Sequence, residues 1–202
     1  MNPDLLAHLG LAAGAAAGSG LRVYGTVAAL GWLQRFGVLA LPGQLGVLGE
    51  LPVTLLASAL YLAEFVADKV PAFDSVWDAI HTFVRVPAAA LLAFAALGDA
   101  PETWRASAAL LAGGVALSVH GMKSGARLAV NASPEPFSNW GLSFAEELSF
   151  AGLIYLVIDH PLASIVVSGA LLVLGLTGMF WIARALRRLF RRGSCSTRNE
   201  PA

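Results

Sequence analysis

Charge is scarce in this chain, cysteine is nearly absent, and neither sign of charge predominates. Charged residues are 13% of the 202, and the 13 basic residues equal the 13 acidic ones. Nothing in the sequence therefore resembles the basic face with interleaved aromatics that nucleic acid requires. The single cysteine, Cys195, lies in a polar tail and can form no internal disulfide, which excludes a disulfide framework, a cysteine metal cage and a redox pair. The opening Met1-Asn2-Pro3-Asp4 lacks the positive region of a secretory signal, although Ala15-Ala16-Ala17 mimics a cleavage site, so the segment is expected to be retained. No nucleophile, base and orienting group stand at a recognised spacing, so the chain is not expected to be an enzyme, nor to carry a cofactor or metal.

What is abundant is apolar surface: 57% of residues are hydrophobic and the mean hydropathy is +0.70. This composition implies an integral membrane protein. Apolar segments run over about 5–36, 51–67, 87–97, 104–130, 142–158 and 162–183. The fold class predicted is all-α, a polytopic bundle of about six transmembrane helices. Pro52 suits a helix first turn, Asp74 an N-cap ahead of a third helix kinked at Pro87, Pro101-Glu102 another start, and 134–139 a polar loop.

One polar phrase occurs twice inside this apolar sequence, Ser19-Gly20-Leu21-Arg22 and Ser124-Gly125-Ala126-Arg127. Arginine in hydrocarbon is costly and faces a protein interior or a wet cavity, so two at matching points suggest a shared central site. Asp68-Lys69-Val70-Pro71 likewise echoes Asp159-His160-Pro161. The chain then divides into repeat 1 (1–100) and repeat 2 (101–193), with a disordered tail at 194–202, in one structural domain. Each repeat is a broken helix followed by two more. Three spans is an odd number, so the second copy enters from the opposite side, which makes the repeats inverted. The arginines at 184, 187, 188, 191 and 192 are expected to place the C-terminus, and with six spans the N-terminus, in the cytoplasm.

A broken helix frees NH groups and carbonyls that bind ions, so the site proposed from sequence begins with Ser19, Gly20, Arg22, Ser124, Gly125 and Arg127. Glu50, Thr54, Ala57, Tyr61, Glu64 and Asp68 align on one face of the second helix, which is expected to turn inward. Tyr61, Glu64 and Asp68 join the site from that face. Glu64 and Asp68 either couple proton loss to cation binding or divide, Glu64 neutralising Arg22 while Asp68 sits at the interface beside Lys69. Asn139, Ser143 and Glu146 share a face of the fifth helix, with Glu146 the natural partner of Arg127. His120 and Lys123 flank the second break and either shuttle protons or line a wet vestibule. Asp74, Asp78, His81 and Arg85 form a third stripe, read as a solvated amphipathic stretch at the membrane surface. Gly10, Gly14 and Gly18 make a small-residue ridge for packing the two halves or for a homodimer seam.

The chain as a whole resembles a bacterial membrane family defined only as domain of unknown function 4126. The phrases that carry the resemblance are Gly-Leu-Arg-Val-Tyr at 20–24, Asp-Lys-Val-Pro-Ala-Phe-Asp at 68–74 and Asn-Ala-Ser-Pro-Glu-Pro-Phe-Ser-Asn at 131–139. It implies no activity. A fainter likeness is to cation–proton exchangers of Golgi and thylakoid membranes, whose halves carry Glu-x-Gly-Asp-Lys/Arg. Here Glu64 to Lys69 has one residue too many between the acids and lacks the glycine. Glu146-Glu147 resembles the pair in intramembrane prenyl-protein proteases, but Ala151 stands where those have arginine. The function expected is a carrier or channel for a small ion or polar solute, with membrane lipid as its other partner. The alternative is a non-transporting lipid-binding or scaffold protein in which Arg-Glu pairs lock the fold.

Overall fold

A computed structural model describes residues 3–70, 73–98, 100–131 and 136–196. These residues form six α-helices: α1 (Pro3–Arg35), α2 (Leu51–Ala67), α3 (Phe73–Ala96), α4 (Glu102–Asn131), α5 (Pro136–Asp159) and α6 (Pro161–Ser196), with a 3₁₀ segment at Gly43–Gly49 ahead of α2. No strand occurs among the described residues. Pro52 sits in the first turn of α2, where its missing NH is no loss. At the other end of α1 the chain leaves through a left-handed Gly37 (φ 69°), with Val38 NH bonded to Leu33 C=O and Gly37 NH to Gln34 C=O. That six-to-one pairing needs a residue without Cβ at the left-handed position.

Two expectations about element ends are corrected. Asn139 lies inside α5 rather than in a loop, because the helix already starts at Pro136. α6 continues to Ser196, so the start of the expected tail is helical, while 197–202 lie outside the described residues. α3 is helical at every residue from Phe73 to Ala96, Pro87 included.

Polarity is distributed inside out. Phe83, Leu110, Phe137 and Leu148 stand at the surface, whereas Arg22 and Arg85 are wholly buried. Water would impose the reverse, so the apolar exterior suits hydrocarbon. Among the described residues three helices are long and apolar enough to cross a membrane, at Val76–Ala96, Phe137–Asp159 and Pro161–Ile182, or four if Gly43–Gly49 and α2, bent by 69°, count as one span.

α1 is the axis of the bundle and packs against every other helix, while α4 packs against α1, α3, α5 and α6. Small side chains make this crowding feasible: Ala16, Ala17, Ala89, Ala96 and Ala116 are fully buried. A Cβ on Gly10 would strike Pro161, and one on Gly14 would strike Val157 and Ser164. The ridge therefore packs α1 onto the α5–α6 corner. Ser164 and Ser168 donate to the carbonyls of Gly10 (2.8 Å) and Ala13 (2.9 Å) along the same seam. Replacing Ser164 with Ala should lower stability by only about 0.6 kcal/mol, the usual worth of such a bond between membrane helices, in SDS-titrated unfolding from bicelles.

Candidate functional site

α1 is broken once. Arg22 takes extended dihedrals (φ −147°, ψ 84°), two residues beyond Gly20. One non-helical residue interrupts the ladder of backbone bonds, so carbonyls just before it need other donors. Cationic side chains supply them: Arg85 Nη1 donates to the Gly20 carbonyl at 3.1 Å and Lys123 Nζ to that of Leu21 at 3.3 Å. The C-terminal end of a half-helix carries partial negative charge, which favours cations at this point. Gly20 is required by the neighbour as well, since its Cβ would lie 2.7 Å from Val119 Cβ and 2.8 Å from the Ala116 carbonyl on α4.

The second copy of the motif behaves differently. α4 is helical throughout Glu102–Asn131, so the expected break at Ser124-Gly125 is absent. Gly125 is exposed with open space where a Cβ would be, and it takes no part in the site. The glycine in the first copy is enclosed by a packed neighbour, while this one faces outward, and sequence alone makes them look alike.

Both arginines nevertheless reach the same place. Arg22 is ion-paired to Asp68 and approaches Glu147 Oε1 at 2.9 Å and Glu146 Oε2 at 3.3 Å. Arg127 grips both oxygens of Glu146, at 3.0 and 2.7 Å, donates to the Asp68 carbonyl and to Asn139 Oδ1, and lies 3.4 Å from Asp68 Oδ2. The expected pairing of Arg127 with Glu146 is therefore present. Glu64 does not neutralise Arg22, however. It pairs with Arg85 at 2.5 Å, and Asp68, far from being an interfacial residue, is fully buried between Arg22, Lys123 and Arg127. The α2 face turns inward at Thr54, Ala57 and Glu64, but Glu50 precedes α2 and is exposed. Tyr61 donates to Glu147 Oε2 at 2.5 Å.

The reading of α3 as a surface stripe is overturned. Asp78, His81 and Arg85 are buried, while Val76, Ile80 and Phe83 on the opposite face are exposed. Asp74 has no described side chain. Arg85 pairs with Asp78 at 3.1 Å as well as with Glu64, and Lys123 stands 3.6 Å from Asp78 and 3.1 Å from Asp68. His81 donates from Nδ1 to the Trp77 carbonyl at 2.7 Å, which leaves Nε2 to accept from the Tyr24 hydroxyl at 3.1 Å.

The result is one continuous cluster on five helices: Arg22 on α1, Glu64 and the adjoining Asp68 on α2, Asp78 and Arg85 on α3, Lys123 and Arg127 on α4, Glu146 and Glu147 on α5. Alternating signs at these distances compensate much of the penalty of removing each charge from water. The compensation is incomplete: among the described residues Glu64 Oε2, Asp68 Oδ1, Arg22 Nε, Arg85 Nε and the fully buried Ser19 Oγ have no hydrogen-bond partner. A cavity of about 300 Å³ between α3 and α4 touches the cluster, lined by Asp78, Ala79, Thr82, Ser124, Arg127 and Leu128. Among the described residues no group of three or more His, Cys, Asp and Glu is placed to hold a metal.

The cluster lies wholly within the stretch matched by a family model described as domain of unknown function (DUF4126), residues 9–181. The chain belongs to this family. No curated protein and no solved structure matches it. The DUF4126 region thus begins early in α1, ends within α6 and contains every charged residue of the buried network.

Proposed function

We propose that this DUF4126 protein is an integral membrane carrier or channel for a small ion or polar solute, with all six α-helices crossing the bilayer of the bacterial inner membrane and both termini cytoplasmic. The observation that carries the reading is the break in α1, whose freed carbonyls are held by the cationic ends of Arg85 and Lys123 rather than by backbone. Unwound carbonyls at a half-helix end are where membrane carriers coordinate ions, and side chains that fill the place can yield it. Asp78, Ser124 and Arg127 offer a solute both signs of charge from the cavity, one step from the break. Behind it, Ser19, Tyr61, Glu64, Asp68, Asn139 and Glu146 are the further residues assigned to the site in this reading. Inverted three-helix repeats account for the placement of two arginines on one cluster from α1 and α4.

Flux through proteoliposomes tests this. Current and uptake are measured for sodium, potassium, chloride, ammonium, protons and small zwitterions against protein-free vesicles. At least one is expected to pass, and Arg22→Lys, which keeps the charge but not the two-sided grip on Asp68 and Glu147, should slow it about tenfold or more, equivalent to about 1.4 kcal/mol. Flux unchanged in that variant and in Arg127→Lys would overturn the site. No flux for any solute, together with headgroup-selective lipid binding, would establish the scaffold reading instead.

A further inference from the structure

His120 joins the cavity to the broken helix, and its two nitrogens do opposite things. Nδ1 lies 2.8 Å from Arg85 Nη1. Guanidinium has only donors, so Nδ1 must be the bare, accepting nitrogen of a neutral imidazole. Nε2 then carries the hydrogen, and its surroundings agree: the Asp78 carbonyl at 3.1 Å, the Thr82 hydroxyl at 2.7 Å and Ser124 Oγ at 3.4 Å. Thr82 and Ser124 line the cavity. On the other side the same Nη1 holds the Gly20 carbonyl at the break.

We propose that His120 is a proton-binding site of this protein and that its protonation releases Arg85 from the break in α1. The proposal rests on the carrier reading for its purpose, and names the proton as coupling ion. A hydronium ion gives its proton to the bare Nδ1, so that one O–H bond breaks as the N–H forms, leaving water and an imidazolium. The new N–H on Nδ1 faces the donors and positive charge of Arg85, so the hydrogen bond between them turns into a repulsion. Glu64 and Asp78 already hold the other side of Arg85 and draw it away, and the Gly20 carbonyl is left open to a solute. The charged groups facing His120 are Asp78 and Arg85 from α3 and Lys123 from its own helix. From α1 it meets the backbone carbonyl of Gly20 only through Arg85.

The test uses the full chain, labelled with ¹⁵N-histidine, in lipid nanodiscs, with the His120 signals assigned by their loss in His120→Gln. Near neutral pH the expected spectrum is a single tautomer protonated at Nε2, changing to the doubly protonated form as the pH is lowered stepwise to the acid limit at which the protein stays folded. A neutral-pH tautomer protonated at Nδ1, or signals unchanged over that range, would overturn the proposal. Thr82→Val, which keeps the shape and removes the cavity-side hydroxyl, guards against misfolding of the first variant: its Nε2 signal should shift while the Nδ1 signal stays. In proteoliposomes His120→Gln, which cannot be protonated to release Arg85, should lose both solute flux and its response to an imposed pH gradient. Absence of all flux beside a titrating His120 would sink the carrier and leave the proton site standing. An unresponsive His120 beside measurable flux would do the opposite.

Discussion

Arg85→Met is expected to cost about 3–5 kcal/mol of stability, because Glu64 is wholly buried and Arg85 is the ion-pair partner the structure gives it. The same change takes the donor from the Gly20 carbonyl and from His120 Nδ1. Losing one member of a buried pair hurts more than losing both, since the survivor is a charge left in a medium that cannot solvate it. Arg85→Met/Glu64→Met should therefore recover most of the loss. SDS-titrated or thermal unfolding of the wild type, both single variants and the double variant forms the cycle that isolates the pair. A single variant within about 1 kcal/mol of wild type would mean that water reaches Glu64 and that the cluster is not buried as described.

Gly20→Val should damage the bundle, and Gly125→Ala should be one of the most harmless substitutions in it. At Gly20 a Cβ would sit inside contact distance of Val119 and of the Ala116 backbone, which cannot rotate away, so α1 must separate from α4. Overpacking of that kind costs about 1–3 kcal/mol, and here it also carries the Gly20 carbonyl away from Arg85. Gly125 has open space and lies mid-helix, where alanine is the better helix former by up to about 1 kcal/mol. Unfolding and flux should therefore drop together for Gly20→Val and stay level for Gly125→Ala. Equal damage at the two glycines would show that the motif copies act as functional equivalents after all.

Much of the site could be read from residue order because charge in an apolar sequence has few places to go. The doubled Ser-Gly-x-Arg phrase led to Arg22 and Arg127, and the face shared by Asn139, Ser143 and Glu146 led to the partner of Arg127. Asp78 and Arg85 were misassigned through the sign of the solvent. A stripe of polar residues at spacings of three and four points outward in water and inward in lipid, and the helical period is the same in both cases. The signal that distinguishes them was present: Val76, Ile80 and Phe83 fill the opposite face of the same helix, and a span must turn that face to hydrocarbon. Glu147 was passed over as the mere neighbour of Glu146, since adjacent residues on a helix point about 100° apart; both reach the cluster because α5 packs directly on α1.

By itself the sequence determined the membrane-like composition, the six helices and the positions of most of their ends, since those follow from local apolar length, proline placement and glycine exits. It determined too that Arg22 and Arg127 would be internal. Apart from Arg127 with Glu146, which carboxylate met which cation was decided by tertiary packing, because partners as distant in the chain as Arg22 and Glu146, 124 residues apart, are brought together by helix crossings that no local pattern encodes. The same holds for the single break: Gly20 and Gly125 have the same intrinsic freedom, and only the close approach of α4 and the cations waiting beside it let the first helix open while the second stays closed.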